Sequence, residues 1–451
     1  MMFFPLACLA GSDPLSTEEY IEAGAFPQTA DPNQCDRQKI RNPLTLADVV
    51  DLALCNNPQT RSLWLSARTQ AANVGVGMSA YLPTLSAQGS YARNSSTLSG
   101  NTYSSNNRSV SLTAGYLLFD FGGRAGTLEN AKQLLVAANA TRDATLQANF
   151  LTAVQSYYAL RSARAIVESL QVAEASAKES FSAAEARYLA GVATPADKLQ
   201  AQTALSQARL NLITAQGNAL SAQGTLANVM GFDASQPFTL VTLPESGTDS
   251  AVEQDIGKLI EDARRKRPDL RAADAQIKAA EAQLAATRAT GLPSVSLSAS
   301  TGSQNISGTP ITNSSSIGVT LSVPLFTGFR STYQNRSAEL QMESRVAARD
   351  LLANQVALDV WKAYQTLLTN SQSLVAANDL VASAELSERM TLGRYKAGVA
   401  NMSIVDVLNA QSALASARQQ RVTALYNFQA SRLGLAQAVG QLDLTQLEKG
   451  N

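Results

Sequence analysis

The sequence predicts a mostly α-helical chain that carries strands of a transmembrane β-barrel and is built from two similar halves. A short motif, Arg187–Ala193, recurs as Arg394–Ala400 about 207 residues later, which indicates an internal duplication. Apolar residues recur at alternating steps of three and four over long segments, the spacing of coiled-coil helices. Shorter segments instead alternate apolar and polar residues, the pattern of β-strands with one apolar face.

The overall composition excludes several classes of function. Of the 451 residues, 45% are apolar but 6% are aromatic, which suits long helices packed through small side chains. The 36 basic residues balance the 36 acidic ones, so nucleic acid is not an expected partner. The chain has no histidine and three cysteines, too few for a zinc site. We therefore predict no enzyme, no metal site and no cofactor.

Residues 1–43 are interpreted as the remnant of a secretory signal followed by an extended arm that contains several prolines. The apolar start is too short to span a bilayer, and Cys8 follows Pro5, where a lipoprotein signal prefers leucine. Cys35 and Cys55 lie close together in the sequence. We predict a disulfide between them if the chain is exported, whereas in a reducing compartment both would stay thiols.

The first repeat is assigned to residues 44–231 and begins with a helix. Thr45 is predicted to cap this helix, and Pro58 predicts a break or bend within it. Alternating residues then predict a β-hairpin over 84–119. Its two strands are expected to have about ten to twelve residues each, joined by a polar loop at 94–107.

A very long helix follows, and with the next helix it forms a predicted helical hairpin. The tip of the hairpin spans residues 187–197, and the second helix begins at Pro195 and ends at Gly231. Residues 232–250 are predicted to be a polar connector. The coiled-coil seam of the first helix comprises Leu146, Phe150, Ala153, Tyr157 and Leu160.

The second repeat, residues 251–441, contains the same landmarks in the same order. We expect a helix, a β-hairpin over 294–326 and a long helical hairpin with its tip at 394–406. Residues 442–451 are assigned to a C-terminal tail. The seam of the second long helix comprises Val356, Val360, Ala363 and Leu367.

Four strands per chain cannot close a barrel alone. An open sheet edge is not tolerated in lipid, so several copies would have to share one barrel. The alternative is a soluble sheet packed on helices, as in a periplasmic coiled-coil structural or adaptor protein. The polar strand face consists almost wholly of Ser, Thr, Gly and Gln and lacks the Lys and Glu of a solvated exterior. This composition favours the membrane barrel.

Five aromatic residues stand near the predicted strand ends. A girdle at the membrane interface and packing at the junction of strands and helices both explain this position. The residues are Tyr116, Phe119, Phe121, Phe326 and Phe329.

Taken together, these motifs resemble those of the TolC family of outer-membrane channel proteins. The resemblance covers residues 44–441 and depends on the duplicated halves, the Leu-Pro strand entry, the L-F-x-G-x-R strand exit and the R-Y-x-x-G-V tips. It implies a homotrimer whose twelve strands form one barrel in the lipid of the Gram-negative outer membrane. The helices would then form a large periplasmic tunnel.

The same resemblance implies a channel that catalyses nothing and depends on partners. A periplasmic adaptor and an inner-membrane transporter, either ABC-type or proton-driven, would pass substrates to it. Family members act in type I protein secretion or in multidrug efflux. The cysteine pattern is more similar to that of the secretion members, so we expect secretion, with efflux as the alternative.

Roles for the hairpin tips also follow from the resemblance. Asp406 matches a ring of acids that narrows the periplasmic entrance, and Asn409 stands at a second ring position where the family has aspartate. Asp197 and Tyr395 match a pair that links helices and holds the entrance shut. No arginine follows the second glycine turn, unlike the family pattern, and the second tip is two residues longer than the first. The residues expected to dock the adaptor are Gly191, Val192, Ala193, Gly398, Val399 and Ala400.

Helix capping also explains both aspartates. Asp197 and Asp406 each stand third in a predicted helix after a Thr or Ser cap, where the helix dipole alone favours an acid. For Asp197, capping and gating are equally supported. For Asp406 we favour gating together with capping, because three such charges around an axis would bind cations and disfavour anions.

Overall fold

One order of elements occurs twice along the chain: two helices, two strands, then two long helices. The computed structural model describes residues 13–22, 42–241, 255–399 and 402–442. The first repeat contains α1 (Leu46–Asn56), α2 (Pro58–Ser79), β1 (Thr84–Leu98), β2 (Asn101–Phe119), α3 (Gly123–Leu189) and α4 (Pro195–Val229). The second contains α5 (Ile256–Lys266), α6 (Pro268–Ala289), β3 (Ser294–Ile306), β4 (Thr312–Ser322), α7 (Arg330–Lys396) and α8 (Ile404–Ala438). The predicted mostly helical, duplicated chain with four strands is confirmed.

The first helix is capped and interrupted as the sequence predicts. The amide N–H of Asp48 donates to Thr45 Oγ1 at 3.2 Å, and the amide N–H of Thr45 donates to Asp48 Oδ2 at 2.9 Å. This reciprocal pair is a capping box. The chain leaves the helix at Asn57, before Pro58, and a second helix begins there. None of the helices in the described ranges is long and apolar enough to cross a membrane.

Two compact units divide the chain, and each combines segments of both repeats. The first unit holds residues 13–22, 64–141 and 269–352, and contains all four strands. The second unit holds residues 42–63, 142–241, 255–268, 353–399 and 402–442, and contains both hairpin tips.

One cysteine of the predicted disulfide lies in the second unit. Cys55, in α1, is disulfide-bonded, which fits an oxidising compartment. Cys35 lies outside the described residues, so its pairing with Cys55 stays a prediction.

The core of the second unit is built on the predicted seam of α3. All five seam residues are at most 1% exposed. They pack in one cluster with Val50 of α1, with Leu226 of α4 and with Met230, the C-cap of α4. Burial of these side chains holds the short helix α1 against the hairpin.

The corresponding seam of α7 is covered less completely. Val356 and Val360 are fully buried, whereas Ala363 and Leu367 are half-buried. A single copy of the chain therefore leaves part of this apolar seam uncovered.

The four strands of the first unit form one antiparallel sheet in the order β1-β2-β3-β4. The pairing of β2 with β3 joins the two repeats, with Asn107 opposite Ile306. A bulge between Leu117 and Phe119 interrupts that pairing near the strand ends. β1 and β4 are edge strands, each paired on one side only within the chain.

The first β-hairpin is longer than predicted. β1 has 15 residues and β2 has 19, and most of the segment expected as a loop at 94–107 is paired strand. The turn is formed by Ser99 and Gly100 alone. Both have positive φ, as a type I′ hairpin turn requires. Composition predicts a loop for a run of Asn, Ser and Thr, but cross-strand contacts satisfy these side chains. Thr97 Oγ1, for example, lies 3.2 Å from Thr102 Oγ1.

One face of the sheet, called here the apolar face, collects apolar side chains from all four strands. Leu297 of β3 lies opposite both Tyr116 of β2 and Val319 of β4, and the same register continues along the sheet. The members of this face include Leu85, Ala87, Tyr91, Val110, Leu112, Ala114, Tyr116, Val295, Leu297, Ala299, Ile317, Val319 and Leu321.

The opposite face, called here the hydroxyl face, is uncharged and mostly polar. Its hydroxyl groups form hydrogen bonds between neighbouring strands. Ser90 Oγ lies 2.8 Å from Ser109 Oγ, and Ser300 Oγ lies 2.9 Å from Ser316 Oγ. An apolar face opposite a wet, uncharged face is the pattern of a lipid-embedded barrel strand. Its members include Ser86, Ser90, Ser109, Ser111, Thr113, Ser296, Ser298, Ser300, Ser316 and Thr320.

Four phenylalanines stand in pairs where strands meet helices. Phe119 and Phe121 contact edge to face with ring centroids 4.7 Å apart, and Phe326 and Phe329 do so at 5.5 Å. Every one of these rings is at least half exposed in the single chain. Within one chain the junction does not bury these rings, and their place in an interface girdle stays a prediction.

Candidate functional site

The first hairpin tip closes with a glycine turn. The N–H of Gly191 donates to the carbonyl of Tyr188 at 2.9 Å, and the N–H of Val192 donates to the carbonyl of Arg187 at 3.0 Å. Gly191 has a φ of +76°, which residues with a Cβ rarely adopt. The two bonds form a Schellman motif that ends α3.

The second tip repeats this turn at Gly398. The N–H of Gly398 donates to the carbonyl of Tyr395 at 3.1 Å, and the N–H of Val399 donates to the carbonyl of Arg394 at 3.2 Å. The link from α7 to α8, residues 397–403, is two residues longer than the link from α3 to α4, residues 190–194. The predicted difference in tip length is therefore present.

The residues expected to dock an adaptor lie at the surface of the tips. Val192 is 64% exposed and Val399 is 42% exposed, so both side chains are accessible to a partner. Of the other residues assigned to docking, Gly191 and Gly398 are exposed, Ala193 is half-buried, and Ala400 lies outside the described residues.

Asp197 caps α4. Its Oδ2 accepts from the amide N–H of Thr194 at 2.9 Å and from the Thr194 hydroxyl at 2.8 Å. These hydrogen bonds, with a smaller contribution from the charge of Arg187, hold the pKa of the Asp197 carboxyl below its ordinary value. The carboxylate is thus ionised and held in place at the start of the helix.

Asp406 occupies the same position in α8 but is more exposed. Its Oδ2 accepts from the amide N–H of Ser403 at 2.9 Å, and Ser403 Oγ accepts from the amide N–H of Val405 at 2.8 Å. Asp406 and Asn409 are both exposed, on the same side of the helix. The capping explanation therefore accounts for one oxygen of Asp406 and leaves the side chain at the surface.

A small apolar core beneath the tips contains Tyr395. This side chain is 9% exposed and packs with Ala184 of α3, Ala201 of α4, and Ile404 and Val407 of α8. Four helices therefore meet at the tyrosine. Because Ile404 and Val407 point into this core, the helical period turns the intervening residue 406 outward.

Arg187 contacts one member of the pair predicted to hold the entrance shut. Its guanidinium carbon lies 4.7 Å from the ring centroid of Tyr395, a cation–π contact between α3 and α7. Its charge also lowers the pKa of Asp197. Asp197 itself accepts hydrogen bonds from Thr194. Within this chain, the contact that joins α3 to α7 here is therefore that of Arg187 with Tyr395, and the role of Asp197 as the partner of Tyr395 stays a prediction.

Sequence reasoning missed the role of Arg187. The signal was present, because Arg187 opens the same R-Y-x-x-G-V motif that supplied the glycine turns. The two copies differ in structure: Tyr395 is buried under Arg187, whereas Tyr188 is 38% exposed and Arg394 is exposed. A duplicated motif does not show which copy forms the contact.

Polar contacts join the hairpins beside this core. Ser180 Oγ, almost fully buried, donates to Gln411 Oε1 at 3.1 Å and so ties α3 to α8. Lys198 Nζ lies 2.8 Å from Glu185 Oε1 across the first hairpin. In the ranges that the structure describes, no group of three or more acidic residues or cysteines is placed to hold a metal ion.

The sheet and the hairpins together define a class of protein. A sheet with an apolar face and an uncharged polar face, joined to very long helical hairpins in duplicate, is the architecture of an outer-membrane channel. The family described as "Outer membrane efflux protein" matches residues 49–232 and 259–441. The chain belongs to this family, which confirms the resemblance to TolC proteins.

Individual relatives agree with this assignment over almost the whole chain. Protein CyaE of Bordetella pertussis is 30% identical over 442 residues, which are 97% of this chain and 92% of that protein. The outer membrane efflux protein BepC of Brucella suis is 26% identical over 413 residues, 89% of this chain and 87% of BepC. The structure of the outer-membrane channel OprN has the same fold, with a TM-score of 0.78 at 21% identity, covering 94% and 93% of the two chains.

Membership of the family determines the location and the broad activity. The protein is an outer-membrane exit channel of a Gram-negative cell with a periplasmic extension. Members of such a family are channels and not enzymes. They act as trimers with periplasmic adaptors and inner-membrane transporters.

Proposed function

We propose that three copies of this chain form one exit duct that takes substrates from an inner-membrane transporter and adaptor across the periplasm and the outer membrane. The observation that carries this is the open sheet. β1 and β4 each have a free edge within the chain, and lipid does not tolerate unpaired backbone groups. Pairing β4 of one copy with β1 of the next closes a ring, and three copies give twelve strands, with the hydroxyl faces lining the lumen.

The hairpin tips supply the entrance in this proposal. Asp406 and Asn409 would form the acidic and amide constrictions, since both are exposed on the same side of α8. Tyr395 and Arg187 would hold the closed arrangement, because their contact joins α3 to α7 beside it, and Asp197 would assist at the start of α4. The exposed valines of both tips would contact the adaptor.

We place type I protein secretion first as the cargo class. The cysteine pattern supports it, with Cys55 disulfide-bonded. Efflux of small molecules is the second candidate, favoured by the relative BepC, which is named as an efflux protein. The two cargo classes can be distinguished in a strain that lacks its own exit duct. The strain expresses this chain together with the transporter and adaptor of either a secretion system or an efflux pump. Protein in the medium would support secretion, and lowered dye accumulation would support efflux.

The channel itself is tested in a planar bilayer with the purified full-length protein. We expect trimers in detergent and long-lived, small, cation-preferring current steps, because the lumen is uncharged and the entrance is acidic. A silent bilayer, together with a protein that is monomeric and soluble without detergent, would leave the coiled-coil structural protein as the better explanation.

Removing the charge of Asp406 is expected to lower cation selectivity. Asp406→Asn keeps the size and polarity of the side chain, whereas Asp406→Ala also removes the acceptor of the Ser403 amide, one half of the capping box of α8, at a cost of up to about 1 kcal/mol of stability. Both variants should shift the reversal potential in a salt gradient towards zero. A reversal potential unchanged in both variants would limit Asp406 to helix capping.

Removing Arg187 is expected to open the entrance more often. Arg187→Gln deletes a cation–π contact worth about 0.5–2 kcal/mol, so the closed arrangement loses stability and the mean conductance rises. The matched control is Arg209→Gln, which breaks an ion pair of 3.2 Å with Glu174 on the same helical hairpin but away from Tyr395. If both variants conduct alike, the contact with Tyr395 does not hold the entrance.

A further inference from the structure

The charges of the sheet are few and of one sign. Arg93 and Arg108 are the charged residues of the four strands, and neither strand turn contains an acid. No carboxylate on the sheet therefore balances them. In lipid, an arginine with no acidic neighbour is costly unless it reaches the interface and meets an anion there.

Both arginines stand on the apolar face, beyond its apolar side chains. Arg108 lies opposite Tyr91 on β1 and Asn305 on β3, and Arg93 is two residues further along β1, on the same face. The guanidinium of Arg108 lies 5.7 Å from the ring centroid of Tyr91. The two charges therefore mark the edge of the apolar face on the side of the strand turns.

A cavity of about 570 Å³ opens on this face next to Arg108. Its apolar lining includes Val110, Leu112 and Ile311, with the hydroxyl-bearing Thr301 and Ser303 opposite Leu112 and Val110. Arg108 and the amides of Asn305 and Asn313 also line it. This chemistry suits an amphiphile with acyl carbon against the apolar side chains and an anionic headgroup at Arg108, more than a soluble anion, which would gain nothing from the apolar side chains.

We propose that this cavity binds a phosphate-bearing lipid of the outer leaflet, with its phosphate held by Arg108 in the cavity lining and by Arg93 on the neighbouring strand β1. This rests on the proposed orientation, in which the helices lie in the periplasm and the strand turns face outward. The edge marked by the two arginines is then the level of the outer headgroups. Guanidinium pairs with phosphate through two parallel hydrogen bonds, and the amides of Asn305 and Asn313 supply further donors.

The test measures binding of lipid A, with both phosphates and with neither, to the full-length trimer in detergent by native mass spectrometry. We expect the phosphorylated form to bind the wild-type protein at least about tenfold more tightly than the dephosphorylated form. Arg108→Gln should lower that preference about threefold, and the double variant with Arg93→Gln should abolish it. Arg108→Lys should recover part of it, because the charge is kept.

Arg288→Gln is the matched control, since it removes an exposed arginine of α6 outside the sheet. Binding that is unchanged in the double variant, or equal for both forms of the lipid, overturns the proposal. Conductance of the same variants is measured in a phosphatidylcholine bilayer and should equal that of the wild type. A wild-type protein that binds the lipid but conducts nothing would refute the exit duct and leave the lipid site standing.

Discussion

Replacing Gly231 with alanine is expected to destabilise the second compact unit by about 3 kcal/mol or more. Gly231 ends α4 with a φ of +79°, and its N–H donates to the carbonyl of Asn228 at 2.9 Å. An alanine Cβ would lie 2.6 Å from the carbonyl oxygen of Asn56, which is backbone and cannot rotate away. The end of α4 or of α1 would have to shift, and the buried residues Leu226 and Met230 would move with it.

Two other glycines calibrate this effect. Gly191 has nearly the same φ, +76°, but a Cβ there meets nothing within 4 Å, so alanine should cost only the conformational term of about 1–2 kcal/mol. Gly440, in the second repeat, has a φ of +75° and its Cβ would lie 3.1 Å from the N atom of Arg267. Thermal unfolding in detergent should therefore show the smallest loss of stability for Gly191→Ala, an intermediate loss for Gly440→Ala and the largest loss for Gly231→Ala. Equal losses at 191 and 231 would show that the clash with Asn56 relaxes without cost.

A lysine at Val319 is expected to abolish most insertion of the protein into the outer membrane. Val319 is on the apolar face and 64% exposed. A lysine on the lipid face near the bilayer midplane costs about 2–4 kcal/mol in each chain, and the trimer would carry it three times. The measurement is the amount of heat-modifiable trimer in outer-membrane fractions.

The neighbouring residue provides the control for this variant. Thr320 is on the hydroxyl face, so Thr320→Lys places the same charge on the same strand but towards the lumen. It should insert normally and reduce cation selectivity in the bilayer. Loss of insertion in both variants would contradict the assignment of the apolar face to lipid and of the hydroxyl face to a water-filled lumen.

Much of this fold could be predicted because its local signals are strong and occur twice. The sequence predicts a helix cap at Thr45, Thr194 and Ser403, because each is followed by an aspartate three residues later. All three caps are present. The seam of α3 follows from spacing alone. These features depend on interactions within one or two helical turns, which a sequence displays directly.

Features that depend on distant partners could not be predicted in the same way. The extra length of β1 and β2 requires knowing that each Ser or Asn faces a partner strand. The contact between Arg187 and Tyr395 joins residues from different repeats, and nothing in either copy of the motif indicates which tyrosine is buried. Which residues meet across the fold is decided by packing, and a local pattern carries little information about it.

The pairing of β2 with β3 has a consequence for how the chain folds. Residues brought together there, such as Asn107 and Ile306, are separated by the whole of α3 and α4 in the sequence. Closing so large a loop is slow, and it cannot begin until the second repeat has emerged from its export machinery. The first repeat alone can form a β-hairpin but not the sheet. Although the two halves arose as copies, neither can fold its membrane part without the other.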